Sequence, residues 1–528
     1  MTGRHSDVNG ERSGVSRRRL IGGLGLGTAG ALTMGGGIAY ADVLDSQVQA
    51  VVAAPQTFGR LFPSLPPFAQ PTDRVKAALR ELGRPGGIMD ARDQLDKGPI
   101  LLITDPSLNT VNRDNQFHTA GTTFLGQFLD HDMTFDASSP LGVPTAPESS
   151  INTRTPSFDL DSMYGAGPTA TPMLYDPADK AKLLIGFGGR FEDLPRTSSG
   201  QAVLGDPRND ENIMIAGLHA AFILAHNKIV DQVRAANPGQ STAAVFAAAR
   251  RTLTFHYHWI ILKEFLPQII GQPMVDQILQ LGRQFYRPPV GQAFMPVEFQ
   301  GAAYRFGHSM VRPSYRANLA GNSDNSPFFG FIFDSSQEGV PDPGDLRGGF
   351  RAPRRFIGWQ TFFNFGDGQV KPNKRIDTRI STALFNLPLS TIASGDPPTS
   401  LPQRNLLRHL TWSLPSGQAI ATAMREPGLF SPNDFPELKP LGVGFETSTP
   451  LWYYVLKEAE VIRDGIMLGP VGTRIVGEVI IGLLQTDPNG YFQLQPNFRP
   501  TLPSTEAGNF RVTDLLRFAG VDPATRGQ

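Results

Sequence analysis

Residues 122–135, TTFLGQFLDHDMTF, set Gln127, Asp130 and His131 inside an otherwise apolar run. Positions three and four apart share one face of a helix, so an amide, a carboxylate and an imidazole point the same way. Asp132 points about a quarter-turn aside. An apolar helix that buries such groups must give them partners, because each unpaired one costs several kcal/mol. The cluster therefore reads either as a reactive site or as a core histidine bonded by its own aspartate. Two other sets offer partners. Oxygen-bearing side chains recur at Thr155, Ser157, Asp159 and Asp161, and hard oxygens at alternate residues can fold round calcium, which takes roughly six to eight of them. The loop is not an EF-hand: counting from Asp159, the fifth position is Met163 and the twelfth is not acidic. An ordinary polar loop would look the same. Arg208 and Glu211 lie three apart and could face one site or form a surface ion pair of little weight.

Among the remaining histidines, His219 and His226 are seven apart with no third ligand, which suits packing better than a metal. His256 and His258 are two apart, hence on different faces of a helix. Gly307-His308-Ser309-Met310 begins like a nucleophile elbow, but the fifth residue is Val311 and the context is helical. That disfavours a serine hydrolase. It leaves a short helix delivering His308 to a metal, with Gly307 permitting close approach.

The elements that must hold these groups are helical. Helices are expected over 122–135, 205–236, 243–270, 304–312, 379–387, 404–411, 451–466 and 472–485. No alternating strand pattern persists and no repeat occurs, so the fold class is mainly α with few or no strands. The 56 glycines and 45 prolines predict long ordered loops between helices, with 317–367 as a surface excursion. At 528 residues, one large catalytic domain with accessory segments fits. Acidic and basic residues balance at 48 each, which gives no reason to invoke nucleic acid. The chain has no cysteine, which excludes disulfides, thiolate metal sites, cysteine nucleophiles and c-type haem attachment. Ser16-Arg17-Arg18-Arg19 precedes an apolar run to Ile38 and then Ala39-Tyr40-Ala41. This reads as a twin-arginine-type signal over 1–41, implying export to the periplasm or beyond, with membrane contact only if the segment stays uncleaved. A formal GxGxxG at 25–30 lies inside that segment and is discounted. Residues 42–110 read as a Pro-rich arm wrapping a core.

Taken together, GQFLDHD at 126–132, RTPSFDLDSMYG at 154–165, GDPRNDEN at 205–212, RFGHSM at 305–310 and NLLR at 405–408 resemble the animal-type haem peroxidase family, in its bacterial secreted branch. The likeness runs from about residue 110 to the end and makes 111–528 the catalytic domain. It implies haem b, calcium, hydrogen peroxide and a small reducing donor, with turnover through a ferryl intermediate and oxidation of halide, thiocyanate or phenols. His131 would be the distal acid–base residue, Arg208 would stabilise charge on the departing oxygen, and Gln127 would line the distal cavity. Asp130 and Glu211 match two carboxylates that esterify haem methyl groups. Asn212 stands where some members have a vinyl-bonded methionine, so that third bond is not expected. His308 would be the proximal iron ligand, donating from its other nitrogen to Asn405, with Arg305 also at the cofactor. Asp132, Thr155, Ser157, Asp159 and Asp161 would hold calcium. The superfamily also contains fatty-acid dioxygenases. Their tyrosine, three residues before the proximal histidine, is here Arg305, with Tyr304 one residue off, which favours the peroxidase.

Overall fold

The computed structural model describes residues 56–136 and 138–528; the signal-type segment lies outside them. The described residues fall within one unit, Ala41–Gln528. At its centre runs α1 (Ala120–Met133), which starts after extended Thr119 and stops at extended Thr134. Phe124, Leu125, Phe128, Leu129 and Met133 are all buried, so this helix is apolar nearly all round, as an internal helix must be. Two glycines let neighbours close on it. A Cβ at Gly121 would sit 2.5 Å from the Phe363 ring, and one at Gly126 would sit 3.2 Å from Phe265. α1 packs on α2 (Ile213–Ala236), and α2 packs on α3 (Thr242–Ile260). α2 is long and apolar enough to cross a membrane, yet 83% of its apolar window is buried in the protein, which makes it a core helix.

The helix expected over 205–236 is broken. A 3₁₀ turn, Pro207–Asp210, comes first, and Asn212 is extended (φ −143°). Its side chain accepts from the Ile215 amide and so caps α2. The break delivers Arg208, Asn209 and Glu211 sideways onto α1 instead of along α2. The 243–270 helix is also interrupted. A π turn, Ile261–Phe265, follows α3 and precedes a short helix, Leu266–Ile270. Pro267 has no N–H and crowds the carbonyl four residues back, which loosens the ladder there.

The excursion at 317–367 is a correction to the surface-loop reading. Strand Ser314–Arg316 pairs antiparallel with Phe329–Phe331, and Phe328, Leu346, Ile357, Trp359 and Phe362 lie in the core. Turn residues dominate the composition there, but the aromatics between them are what the core takes up. The 379–387 helix shrinks to one 3₁₀ turn, Thr382–Phe385. Strands are few and short, and the fold is mainly α. Gln56–Gly59 pairs antiparallel with Ile151–Asn152 and parallel with Met295–Pro296, and Phe58, Phe62 and Phe68 beside it are buried in the same core.

The far side of the site is carried by α4 (Leu401–Thr411), α5 (Leu451–Arg463) and α6 (Pro470–Thr486). Glu458 of α5 accepts the Val471 and Gly472 amides at the start of α6, at 3.0 and 3.2 Å. Burial pushes its carboxyl up to about 8, against those two hydrogen bonds. The folded state therefore keeps a proton that the unfolded chain releases near pH 4.3. That contribution is complete below the unfolded value and is lost as pH rises to about 8. Thermal melts should fall between pH 5 and 8, and Glu458→Gln should flatten that slope; an unchanged slope would refute the assignment.

Candidate active site

One cavity of about 1370 Å³, counting its mouth, gathers Gln127, Asp130, His131, Arg208, Glu211, Arg305 and His308 along its walls. α1 and the 205–212 turn build the first wall. His131 Nδ1 lies 2.8 Å from Asn209 Oδ1, and Asn209 Nδ2 donates to His219 Nδ1 at 2.9 Å. With its amide so engaged, Asn209 accepts the His131 Nδ1–H and leaves Nε2 bare. Burial, reinforced by the Arg208 charge, pushes the His131 imidazole down to about 3, so it is neutral in ordinary buffers. Arg208 is held from several sides. Its Nε and Nη2 donate to Asp206 at 3.0 and 2.8 Å, and Nη2 also donates to the Thr134 carbonyl at 2.7 Å. Nη1 reaches Asp130 at 3.4 Å. Burial works to raise Asp206, but Arg208 and then Arg154 hold it down to about 2.

Gln127 bridges two other groups. Its Nε2 donates to Glu211 Oε2 at 2.9 Å, and its Oε1 accepts from Asn212 at 3.1 Å. Burial pushes Glu211 up to about 7 and raises Asp130 too, opposed by Arg208 and Arg305. The Asp130 side chain is 31% exposed, but into the cavity.

A 3₁₀ stretch, Ala303–His308, builds the opposite wall. The direction of one hydrogen bond differs from the expectation. Arg305 Nη1 donates to Asn405 Oδ1 at 2.7 Å, so the Asn405 amide turns its nitrogen to His308 Nδ1, 2.6 Å away. Guanidinium can only donate, and that fixes the orientation: Asn405 donates and His308 Nδ1 accepts. Burial, then the Arg305 charge, pushes His308 down to about 3. Trp452 meets the His308 ring edge-on, with centroids 6.4 Å apart, and its Nε1–H donates to the Arg305 carbonyl at 3.0 Å. Among the described residues, neither His131 Nε2 nor His308 Nε2 has a hydrogen-bonding partner, and both residues line the cavity. Two imidazoles lining one cavity, among apolar walls that include Phe306, Val311, Ile332 and Leu384, fit a flat iron-centred cofactor.

Behind α1, carboxylate oxygens of Asp132, Asp159 and Asp161 lie within 4.8 Å of one another. Asp132 Oδ2 accepts the Leu160 amide at 3.1 Å. Burial and mutual repulsion raise Asp132 well above the usual carboxylate range and raise Asp159 as well. Such a hard-oxygen set fits calcium. The neighbouring loop residues stand differently. The Thr155 amide donates to Asp161 at 3.1 Å, whereas the Ser157 hydroxyl donates to Asp487 at 3.2 Å.

Residues 136–335 match the family described as animal haem peroxidase. Over that segment the chain is similar to the family. The match begins just past α1, so the distal-helix residues rest on the geometry above. A human protein named as a probable oxidoreductase, PXDNL, is 29% identical over 250 residues, which are 41% of this chain and 17% of that protein. The chain thus spans a minor part of such relatives. Peroxidase A from Dictyostelium discoideum shares the fold at a TM-score of 0.57 and 16% identity, over 87% of this chain and 93% of that one. Fatty acid alpha-dioxygenase from Oryza sativa does so at 0.54 and 15%, over 92% and 88%.

The sequence reading passed over Asn209 and Asp206, although both lie in the polar run GDPRNDEN. It treated His219 as packing, and His219 is buried, but it is also the far end of the hydrogen-bonded chain behind His131.

Proposed function

We propose that the protein is a haem peroxidase that reduces hydrogen peroxide and oxidises a halide, thiocyanate or a phenol. The observation that carries this is a single cavity lined by His131, His308 and Arg208, in which neither imidazole has a hydrogen-bonding partner at Nε2 among the described residues. Bound haem supplies an iron that takes oxidising equivalents from peroxide and passes them to a donor. Because His308 Nδ1 accepts from Asn405, the neutral ring carries its proton on Nε2, and Nε2 would hold the iron on giving up that proton, with the Arg305–Asn405 pair setting the angle of the ring. His131 Nε2 takes a proton from peroxide and returns it to the leaving oxygen, work that needs a neutral imidazole. Asp206 keeps the Arg208 guanidinium ionised and aimed at the charge on that oxygen. Gln127 closes the cavity beside Glu211. Asp132, Asp159 and Asp161, with Thr155 and the backbone near Ser157, hold calcium. The twin-arginine-type segment supports export.

Asp130 and Glu211 both line the cavity and would bond haem methyl groups as esters. Acid–acetone treatment should leave haem on the protein, and Asp130→Val with Glu211→Gln should release it; complete extraction from the unmutated protein would reject the ester bonds. The reading as a whole is tested by one spectrum. Protein supplied with haem should show a Soret band and oxidise iodide or guaiacol only when peroxide is added. No Soret band would end it, and oxygen uptake with linoleate without peroxide would point to a dioxygenase instead. Against that outcome, the Tyr304 hydroxyl is engaged at 3.1 Å with the Gly126 carbonyl of α1.

A further inference from the structure

A second cavity, of about 1100 Å³ with its mouth, lies against the first, and Thr122 lines both. The π turn is what builds this pair. Of two consecutive residues, Phe265 faces the first cavity and Glu264 the second, and such turns concentrate at functional sites. Thr122 donates to Gln268 Oε1 at 2.9 Å across the wall between them. The inner end of the second cavity thus presents a carboxyl, an amide and a hydroxyl. Phe363 and Phe365 form an aromatic side. At the rim, Arg511 is paired with Glu506 at 2.8 Å, while Arg517, from α7 (Val512–Ala519), has its guanidinium 4.9 Å over the Phe365 ring and meets Asp514 only at 3.7 Å.

We propose that this cavity binds a phenolic carboxylic acid as the electron donor, its ring on Phe363 and Phe365, its carboxylate at Arg517 and its hydroxyl at Glu264. This rests on the peroxidase reading and names the donor class for it. One Glu264 oxygen accepts the Val512 amide at 2.8 Å, and no described group occupies the other. Burial pushes this carboxyl up to about 7, opposed by the Val512 amide and Arg511 and supported by Asp514. In the step, the phenolic O–H bond breaks and its proton passes to Glu264. One electron crosses the α1 wall and reduces the haem site that hydrogen peroxide has oxidised, leaving a phenoxyl radical.

The test uses the full chain and 3-(4-hydroxyphenyl)propionate, with 3-phenylpropionate and 4-ethylphenol as controls. Calorimetry should show one site for the probe and about tenfold weaker binding for each control, one lost contact apiece. Arg517→Ala should weaken the probe about tenfold, and Thr513→Phe, which fills the cavity, should abolish its binding. Glu264→Gln should bind the probe but oxidise it at least tenfold more slowly, while oxidising iodide at the unmutated rate. Undiminished binding in both Arg517→Ala and Thr513→Phe would overturn the site. Equal losses of iodide and phenol oxidation in Glu264→Gln would overturn the proton role. Failure of the unmutated protein to oxidise iodide would instead sink the haem reading, and calorimetry separates that result from the fate of the cavity.

Discussion

Replacing His131 with alanine is expected to slow peroxide consumption by about 10²–10⁴-fold, the usual worth of a positioned acid–base group, while the Soret band persists. The reason lies in the chain His131–Asn209–His219. Asn209 takes the Nδ1 proton, so the basic Nε2 faces the cavity, where burial and Arg208 keep the ring neutral down to about pH 3. The rate should therefore hold across mildly acidic buffers and fall only as pH drops toward that value. Asn209→Leu removes the acceptor that sets the tautomer and should cost about 10–100-fold, as loss of an orienting partner does. Stopped-flow mixing of each variant with peroxide reads both effects. An unchanged rate in His131→Ala would remove the acid–base assignment.

Chelating calcium is expected to lower the melting temperature by several degrees and to slow turnover with it. Three carboxylates converge behind α1, and Asp132 and Asp161 are almost fully buried. Among the described residues, two cations pair with them, Arg154 at 3.3 Å from Asp161 and Arg250 at 3.7 Å from Asp159. A bound divalent ion would supply the missing charge. At a hundredfold excess over its dissociation constant, a ligand of the folded state contributes about 2.7 kcal/mol. Because Asp132 follows His131 directly, loosening the cluster would loosen the proposed acid–base residue. Asp132→Asn should lower the metal content and make melting insensitive to chelator. Metal analysis that finds no calcium, with an identical melt in chelator and in calcium, would sink the site.

Helix faces were legible because they depend on local spacing. Gln127, Asp130 and His131 do line one cavity, and Asp132 does point to the other side of α1 toward Asp159 and Asp161. The absence of alternating patterns likewise foretold a mainly helical chain. Interruptions were not legible, since they are set by competition between a side chain and the helix ladder. The Asn212 cap and the Pro267-linked π turn each replace an expected continuous helix. The 317–367 segment was misread because turn-rich composition says nothing about which aromatics a distant helix will cover; Trp359 packs on Gly217 of α2.

By itself, then, the sequence determined which residues could do chemistry, which helix face carries them and which family they resemble, all properties of types and short spacings. Only the tertiary structure decided that Asn209 stands between His131 and His219, that Arg305 turns the Asn405 amide so that it donates to His308, and that the Ser157 hydroxyl serves Asp487. Each of these is a hydrogen bond whose direction depends on what else the same group touches. Those second contacts reach from 10 to 330 residues along the chain, farther than any spacing rule extends.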